Sequence, residues 1–202
     1  MNEKFFDLKK EKQDRMIHGA MKVFAKNGYK RASTDEMVKE AGISKGLWFH
    51  YFDNKLGLYT FVTDYAVKYM NMELLAMTNR QPEDYFATQL QFEKTKLLVR
   101  KSYPCIPLFL SSLEREKDEE ALEAIGEYLA AYTNAKNKVF EQVDEGLFKE
   151  DVKRKQLDMT IGFTLDGLLR EAYEEEEFDE EGYRIVIEEY LSMMKKLVLK
   201  ED

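Results

Sequence analysis

An all-α fold, with a small N-terminal helical domain and a larger C-terminal one, is predicted by three features of the 202-residue sequence. Apolar residues recur at three- and four-residue spacing along most of the chain, which is typical of amphipathic helices. Only 10 glycines and 3 prolines interrupt the chain, fewer than a β-rich or unstructured protein of this length would contain. Ser, Asn and Asp precede several of the apolar segments, where their side chains can cap helices.

The first three helices form a compact pattern. The first is expected over Lys9–Asn27, and the glycine that follows can end it in a left-handed conformation. Ser33 and Glu36 have the spacing of a capping box, which starts a second helix that ends at Gly42. Ser44, only two residues later, can cap a third helix. Two short helices joined by so tight a glycine turn predict a helix-turn-helix.

Six further helices are expected after residue 54, and their limits follow from caps, prolines and apolar stripes. Asn54 caps the first of them. The expected ranges are 55–77, 82–101 with Pro82 at its start, 107–116, 118–144 followed by Gly146, 151–175 and 180–199. The predicted domains are therefore a helix-turn-helix domain over residues 1–54 and a larger helical domain over residues 55–202.

Charge is distributed unevenly between these domains. Residues 1–55 contain 12 Lys and Arg against 8 Asp and Glu, whereas the remainder contains 19 against 31. A mildly basic head on an acidic body would orient its head towards a polyanion such as DNA.

Several classes of protein are disfavoured by the residues that the chain lacks. One cysteine and two histidines give no cluster with metal-site spacing, so neither a metal nor another cofactor is expected. No nucleophile and base stand at motif spacing, so the chain is not expected to be an enzyme. The charged N-terminus and the absence of a long apolar run predict a cytoplasmic protein without a membrane partner.

The third helix has an unusual outward face. On a helical wheel Phe52 and Ser44 fall within about 40° of Trp48, and these positions are expected to face inward. Gly46 and His50 lie on the opposite side. A glycine that permits close approach and a hydrogen-bonding imidazole suit a DNA groove better than they suit an ordinary charged surface.

The neighbours of this helix weigh against the alternative that its apolar edges, Leu47 and Phe49, simply pack in the core. Ser33 and Thr34 stand at the start of the second helix, where free N–H groups and the positive dipole end suit a phosphate. Lys55 occupies the first turn of the fourth helix, an unfavourable place for a cation that a nearby phosphate would explain.

The segment FAKNGYKRASTDEMVKEAGISKGLWFHYFDNKLGLY, residues 24–59, resembles the N-terminal DNA-binding domain of TetR-type transcriptional regulators. The resemblance implies that one group of side chains holds phosphates: Ser33, Thr34, Tyr51 and Lys55. It implies that another lies in or beside the major groove: Lys45, Gly46, Leu47, Phe49 and His50. Ser44, at the start of the same helix, completes the predicted DNA-binding set. Leu47 and Phe49 stand where many members of the family have Thr and Tyr, so two hydroxyl contacts that the family often makes are absent here.

The larger domain of this family binds a small effector and forms the dimer. Aromatic residues with the composition of a ligand pocket, and equally of a core, are Tyr69, Phe86, Phe92, Phe109, Tyr128 and Tyr132. Apolar positions of the last two helices predicted to form a two-fold dimer interface are Ile161, Leu165, Leu168, Ile187, Leu191 and Met194.

The predicted function is thus that of a TetR-like regulator of transcription. We expect a repressor that binds a palindromic, double-stranded DNA operator as a homodimer and is released by an unidentified small-molecule effector. The alternative is a helical protein-interaction adaptor or small-molecule carrier without operator binding.

Overall fold

The structure is a computed structural model that describes residues 3–78, 84–141, 143 and 148–200. Nine α-helices lie within these residues, which confirms the predicted all-α class. They are α1 (Lys10–Arg31), α2 (Thr34–Ala41), α3 (Lys45–Tyr51), α4 (Lys55–Thr78), α5 (Tyr85–Ser102), α6 (Ile106–Leu113), α7 (Glu119–Phe140), α8 (Arg154–Glu174) and α9 (Glu180–Val198). A 3-10 helix over Glu3–Asp7, which the sequence pattern did not predict, precedes α1.

The helix starts are fixed by the predicted caps. The Ser44 hydroxyl accepts a hydrogen bond from the Leu47 N–H at 3.3 Å. The Asn54 side chain accepts from the Gly57 N–H at 2.7 Å. The Asp118 carboxylate does the same for the first turn of α7. Each cap supplies an acceptor for an N–H that the helix itself cannot satisfy, so these starts follow from local sequence.

Other boundaries differ from the prediction. Ser33 caps α2 by accepting from the Asp35 N–H, but the Glu36 carboxylate accepts from the Asn27 amide of α1. Helix α6 ends at Leu113, three residues before the predicted limit, and α7 ends at Phe140. The predicted helix start at Pro82 and the predicted stop at Gly146 lie outside the described residues.

The chain divides into two compact units. Unit 1 comprises residues 1–73 and 98–135, and unit 2 comprises residues 74–97 and 136–202. The predicted domain boundary after residue 54 therefore falls within unit 1.

Unit 1 is built around α1, which packs against α2 and α6. The aromatic centre of its core joins Phe24 of α1 to Tyr59 of α4, with ring centroids 4.7 Å apart, and to Phe109 of α6 at 6.4 Å. Helices α1 and α2 approach closely at Gly19, where an added Cβ would lie 3.0 Å from the Ala41 backbone nitrogen. The helix-turn-helix is thus fixed to the aromatic core through α1.

Unit 2 is organised by α8 and α9, which pack against each other. Its core includes Leu157 from α8 and Tyr183 from α9. Within this core, the fully buried Glu93 forms an ion pair with Lys96 at 2.7 Å and accepts a hydrogen bond from the Tyr183 hydroxyl at 3.3 Å. These partners allow a carboxylate to remain in an apolar interior.

Candidate nucleic-acid interface

The turn between α2 and α3 has the geometry that the glycine predicts. Gly42 adopts the left-handed conformation, with φ of 63° and ψ of 41°, and its N–H donates to carbonyl oxygens at the end of α2. Ile43 alone separates Gly42 from Ser44, which caps α3. A residue with a Cβ would be strained at Gly42, so this glycine fixes the angle at which α3 leaves α2.

Helix α3 presents two different faces. Trp48 is buried in unit 1, as predicted, and so is Phe52 directly after the helix. The exposed side carries Lys45, Gly46 and His50, together with Phe49, whose side chain is 44 % exposed. Ser44 was expected to face inward, but it is exposed and caps the helix. Leu47 is half-buried.

Gly46 and Phe49 make this exposed face different from an ordinary charged helix surface. A Cβ added at Gly46 would meet nothing within 4 Å, so the backbone is open to close approach by a partner. Phe49 adds an exposed aromatic ring to this face, which can pack against apolar groups of a partner.

A second group of predicted residues converges at the start of α2. Ser33 is exposed and Thr34 begins the helix. The Lys55 ammonium donates to the carbonyl oxygen of Ala32, at 3.4 Å, and to that of Lys30, at 3.2 Å. Lys55 therefore lies beside the residue that precedes Ser33, although it comes from a different helix.

The Lys55 ammonium is already stabilised by contacts within the chain. It lies 4.6 Å from the centre of the Tyr29 ring as well as on the two carbonyl oxygens. The negative end of α1 and an aromatic face already stabilise the cation, so its unfavourable place at the start of α4 does not by itself require a phosphate.

Lys45 connects α3 to α2 through an exposed ion pair with Asp35, with 2.6 Å between nitrogen and oxygen. Such pairs contribute little to stability in water. The lysine can therefore exchange its carboxylate for a phosphate without a large loss.

Tyr51, which the resemblance implies to hold a phosphate, is largely buried. Its side chain is only 7 % exposed, and its ring lies 5.9 Å from that of Phe5. Phe5 is itself fully buried, with Phe52 and Phe61 also within ring contact. The N-terminal 3-10 helix thus packs against the buried side of α3. Sequence reasoning missed this role, although the adjacent Phe5 and Phe6 in a charged segment were the available signal.

The aromatic residues predicted for an effector pocket do not form one group. Phe109 belongs to the core of unit 1, and Tyr69 packs on Tyr103 with centroids 4.5 Å apart. Tyr132 is buried and Tyr128 half-buried in the same unit, whereas Phe86 and Phe92 are buried in unit 2.

The predicted dimer residues are buried to different degrees within the single chain. Four of them are almost completely buried within the single chain: Ile161, Leu165, Ile187 and Leu191. Leu168 and Met194 are partly buried against the same core. The four buried side chains have almost no free surface for a second chain, so they stabilise unit 2 itself.

The described residues also limit other kinds of site. No group of three or more His, Cys, Asp or Glu side chains among them is arranged to hold a metal ion. Within the same residues, no helix combines the length and the apolar character needed to cross a membrane. Burial raises the pKa of the Cys105 thiol to about 12, so this side chain is not an activated nucleophile.

Comparisons with known proteins agree with this geometry. Residues 16–60 match the family model described as bacterial regulatory proteins, tetR family. The chain is 25 % identical over 165 residues to the fatty acid metabolism regulator protein of Bacillus subtilis (strain 168), covering 78 % of this chain and 81 % of that protein.

Two solved structures share the fold. A TetR family transcriptional regulator from Chloroflexus aurantiacus J-10-FL superposes with a TM-score of 0.67 at 18 % identity, with 99 % of both chains covered. The fatty acid degradation regulator FadR from Bacillus halodurans gives a TM-score of 0.60 at 18 % identity, with 90 % of this chain and 96 % of that chain covered.

Proposed function

Because the chain belongs to the TetR family of bacterial transcriptional regulators, we propose that it is a repressor that binds a palindromic DNA operator as a homodimer and is released by a small-molecule effector. The exposed face of α3 is the observation that supports DNA binding. It exposes Gly46, Phe49 and His50 on a helix whose opposite side is anchored by the buried Trp48. Phosphates would be held by Ser33, Thr34, Lys45 and Lys55, and base edges would be contacted by the α3 face.

Salt dependence tests this proposal against an adaptor or a carrier. Duplexes selected from a random pool by the purified full chain would be titrated at several salt concentrations. Binding to phosphates releases counterions, so affinity should fall steeply as salt rises. His50→Ala should reduce the preference for the selected duplex over random DNA. Failure to select any duplex, or affinity independent of salt, would contradict operator binding.

We propose that the dimer uses the exposed apolar residues of α8 and α9. Phe163, which is 71 % exposed, lies one turn after Met159 on α8. Met193 and Leu197 are likewise exposed one turn apart on α9 and line a shallow surface depression. Gly162 adds no side chain beside Phe163, and its Cβ position is open. Exposed apolar rows of this kind are typical of helical interfaces between subunits.

Sedimentation of two matched variants tests this interface. Phe163→Glu should shift the protein to monomer, because a carboxylate would be buried without a partner. Met72→Glu changes a residue of unit 1 that is 68 % exposed, and it should leave the dimer intact. A dimer that withstands Phe163→Glu would place the interface elsewhere.

Release by an effector would use α4. This helix begins at Lys55, beside the start of α2, and continues without interruption to Thr78. A ligand that shifts its C-terminal half would change the position of Lys55 and weaken DNA binding, with a coupling of about 1–3 kcal/mol. A small molecule that copurifies with the protein should bind less tightly in the presence of saturating operator, and equal affinity would refute the coupling.

The regulated genes are proposed from the relative in Bacillus subtilis. Its name refers to fatty acid metabolism, and the similarity extends well beyond the DNA-binding helices to 78 % of this chain. Upstream regions of fatty acid metabolism genes are therefore the first duplexes to test. Binding no tighter than to unrelated duplexes would reject this assignment.

A further inference from the structure

The connection between α6 and α7 in unit 1 contains a carboxylate that contacts the end of α1. Glu116, which is half-buried, accepts a hydrogen bond from the Tyr29 N–H at 2.8 Å. Directly before Tyr29, the backbone of Gly28 leaves helical geometry, with φ of 70° and ψ of 171°. A new helical turn therefore begins after Gly28, and the first N–H groups of a helical turn have no acceptor within the helix. Glu116 supplies this acceptor from a distant part of the chain.

Both oxygens of the Glu116 carboxylate accept two hydrogen bonds. Oε1 accepts from the N–H groups of Lys117 and Asp118, at 2.9 and 3.0 Å. Oε2 accepts from the Tyr29 N–H and, at 3.3 Å, from the Tyr59 hydroxyl of α4. A glutamine has an NH₂ group in place of one oxygen, so it would satisfy only one of these two pairs in full. The carboxylate is therefore required if the contacts to α1 and to its own turn are to exist together.

Residues 29–32, which begin at this contact, are also held by Lys55 of α4. The Lys55 ammonium donates to two carbonyl oxygens of the segment, at 3.2 and 3.4 Å, and lies 4.6 Å from the centre of the Tyr29 ring. Tyr59, which contacts Glu116, stands one turn after Lys55 on the same helix, and its ring centroid lies 5.1 Å from that of Tyr29. The segment is thus fixed at its start by Glu116 and along its carbonyl groups by Lys55.

Residues 29–32 lead directly into the group of residues assigned to phosphates. Ser33, which caps α2, follows the segment, and Lys55 donates to its last carbonyl oxygen. A displaced segment would change the distance between the start of α2 and the Lys55 ammonium, and groups already in place bind with a smaller loss of freedom. We propose that Glu116 is a positioning residue for DNA binding, which fixes residues 29–32 so that Ser33 and Lys55 contact the DNA backbone together. This role rests on the proposed function.

The sign of a charge-removing substitution tests this role. Glu116→Gln makes the protein less acidic, and charge alone would leave its affinity for DNA unchanged or raise it. Positioning predicts the opposite, a loss of about threefold or more for selected and random duplexes alike, with a shallower salt dependence. The exposed Glu119→Gln removes the same charge three residues away and should not weaken binding. Unchanged or tighter binding by folded Glu116→Gln would overturn the proposal.

A second variant keeps the charge and changes only the reach of the side chain. Glu116→Asp is shorter by one methylene, so its carboxylate cannot contact both the Tyr29 N–H and its own turn at the present distances. It should weaken binding of both duplexes in the same way as Glu116→Gln, although the net charge is unchanged. If Glu116→Gln does not fold, this variant decides the proposal, and wild-type affinity would overturn it.

Combination with Lys55→Met shows whether Glu116 acts through Lys55. Two residues that support one contact have effects that do not add. Glu116→Gln should therefore reduce DNA affinity by a smaller factor in the Lys55→Met background than in the wild type. Equal factors in the two backgrounds would overturn the positioning of Lys55 by Glu116.

Amide hydrogen exchange of the full chain measures the positioning without DNA. Glu116→Gln should speed exchange at residues 29–33 by about tenfold or more, because the Tyr29 N–H loses its acceptor and the segment opens locally. Exchange in α8, which belongs to unit 2, should keep its wild-type rate, as should residues 29–33 in Glu119→Gln. Wild-type exchange of residues 29–33 in Glu116→Gln would overturn the proposal.

The two measurements separate this inference from the proposed function. A wild-type protein that selects no duplex would refute DNA binding, whereas hydrogen exchange would still show whether Glu116 fixes residues 29–32. A wild type that binds DNA, together with a Glu116→Gln variant of equal affinity, would overturn the positioning role alone.

Discussion

Lys55 combines two roles in one side chain. Two of its three N–H donors are directed at the carbonyl oxygens of Lys30 and Ala32, which leaves one for a phosphate held at the start of α2. The internal contacts position the charge before DNA arrives. Lys55 should therefore contribute to DNA affinity without a large loss of side-chain freedom on binding.

We expect Lys55→Met to weaken binding to operator and random duplexes alike. The slope of log affinity against log salt should become shallower by about one, because one phosphate contact is lost. Lys68→Met is the matched control, since Lys68 is exposed on the same helix and forms an ion pair with Asp64. A folded Lys55→Met protein with an unchanged slope would restrict Lys55 to its internal contacts.

Glu116 connects three segments of unit 1. Its carboxylate accepts hydrogen bonds from the Tyr29 N–H at 2.8 Å and the Tyr59 hydroxyl at 3.3 Å. It also accepts from the N–H groups of Lys117 and Asp118. Partial burial would raise the pKa of Glu116, but these hydrogen bonds outweigh burial and hold the pKa below its ordinary value.

We expect Glu116→Gln to lower the free energy of unfolding by about 1–3 kcal/mol at neutral pH, because a charged acceptor is lost. A lowered folded-state pKa stabilises the protein above the unfolded-state value, and this stabilisation disappears as pH falls through the folded-state pKa. The difference between wild type and variant should therefore shrink below about pH 4, near the ordinary Glu value.

Denaturant unfolding at a series of pH values measures this difference. The exposed Glu119→Gln, three residues further along the chain, is the control and should change stability little at any pH. A difference for Glu116→Gln that stays constant with pH would mean that its charge is not involved.

At the scale of elements, the close approach of α1 and α2 determines how the helix-turn-helix is held. Gly19 allows this approach because the Cβ of any other residue would lie 3.0 Å from the Ala41 nitrogen and 3.2 Å from the Ala41 Cβ. Both neighbours belong to a packed helix and cannot easily move. The spacing of the two helices is therefore set by the absence of one side chain.

We expect Gly19→Ala to destabilise the protein by about 1–3 kcal/mol, since overpacking should exceed the gain in helix propensity. Gly126→Ala is the matched control on α7, where an added Cβ meets nothing within 4 Å. It should stabilise the protein by up to about 1 kcal/mol. Urea unfolding of both variants measures the effects, and opposite signs are the expected result.

Local sequence predicted the elements better than it predicted their contacts. The caps Ser44, Asn54 and Asp118 act within three residues, so their roles could be read from spacing. The inward position of Trp48 followed from helical periodicity alone. Phe5 was missed because its partners in α3 and α4 lie far away in sequence.

The sequence could not show which side of α8 and α9 faces the chain's own core, for a related reason. The apolar stripes of α8 and α9 are broad, and periodicity does not show which part packs on the chain's own core. Ile161 and Phe163 are both apolar and only two residues apart, yet the first is buried and the second exposed. Only the tertiary contacts of unit 2 distinguish them.

At the scale of the whole molecule, the helix-turn-helix region shares its core with residues that lie beyond its motif. Phe24 of α1 is buried by Tyr59 and Phe109, both of which lie beyond residue 54. We expect a fragment of residues 1–54 to lack a stable fold. A fragment of residues 1–73 contains Tyr59 but lacks Phe109, so we expect it to be less stable than the full chain. Circular dichroism and thermal melting would measure this, and a cooperative transition of the 1–54 fragment would contradict it.

The interleaved path of the two units also has a consequence during synthesis. Unit 1 needs residues 98–135, and unit 2 needs residues near both position 74 and the C-terminus. At about 5–20 residues per second, a ribosome takes several seconds to pass from residue 73 to residue 135. For the first part of that interval the apolar side of α1 lacks its contact with Phe109 of α6, and unit 1 remains incomplete until residue 135. The nascent chain should therefore be a substrate for chaperones that shield exposed apolar helices until unit 1 can close.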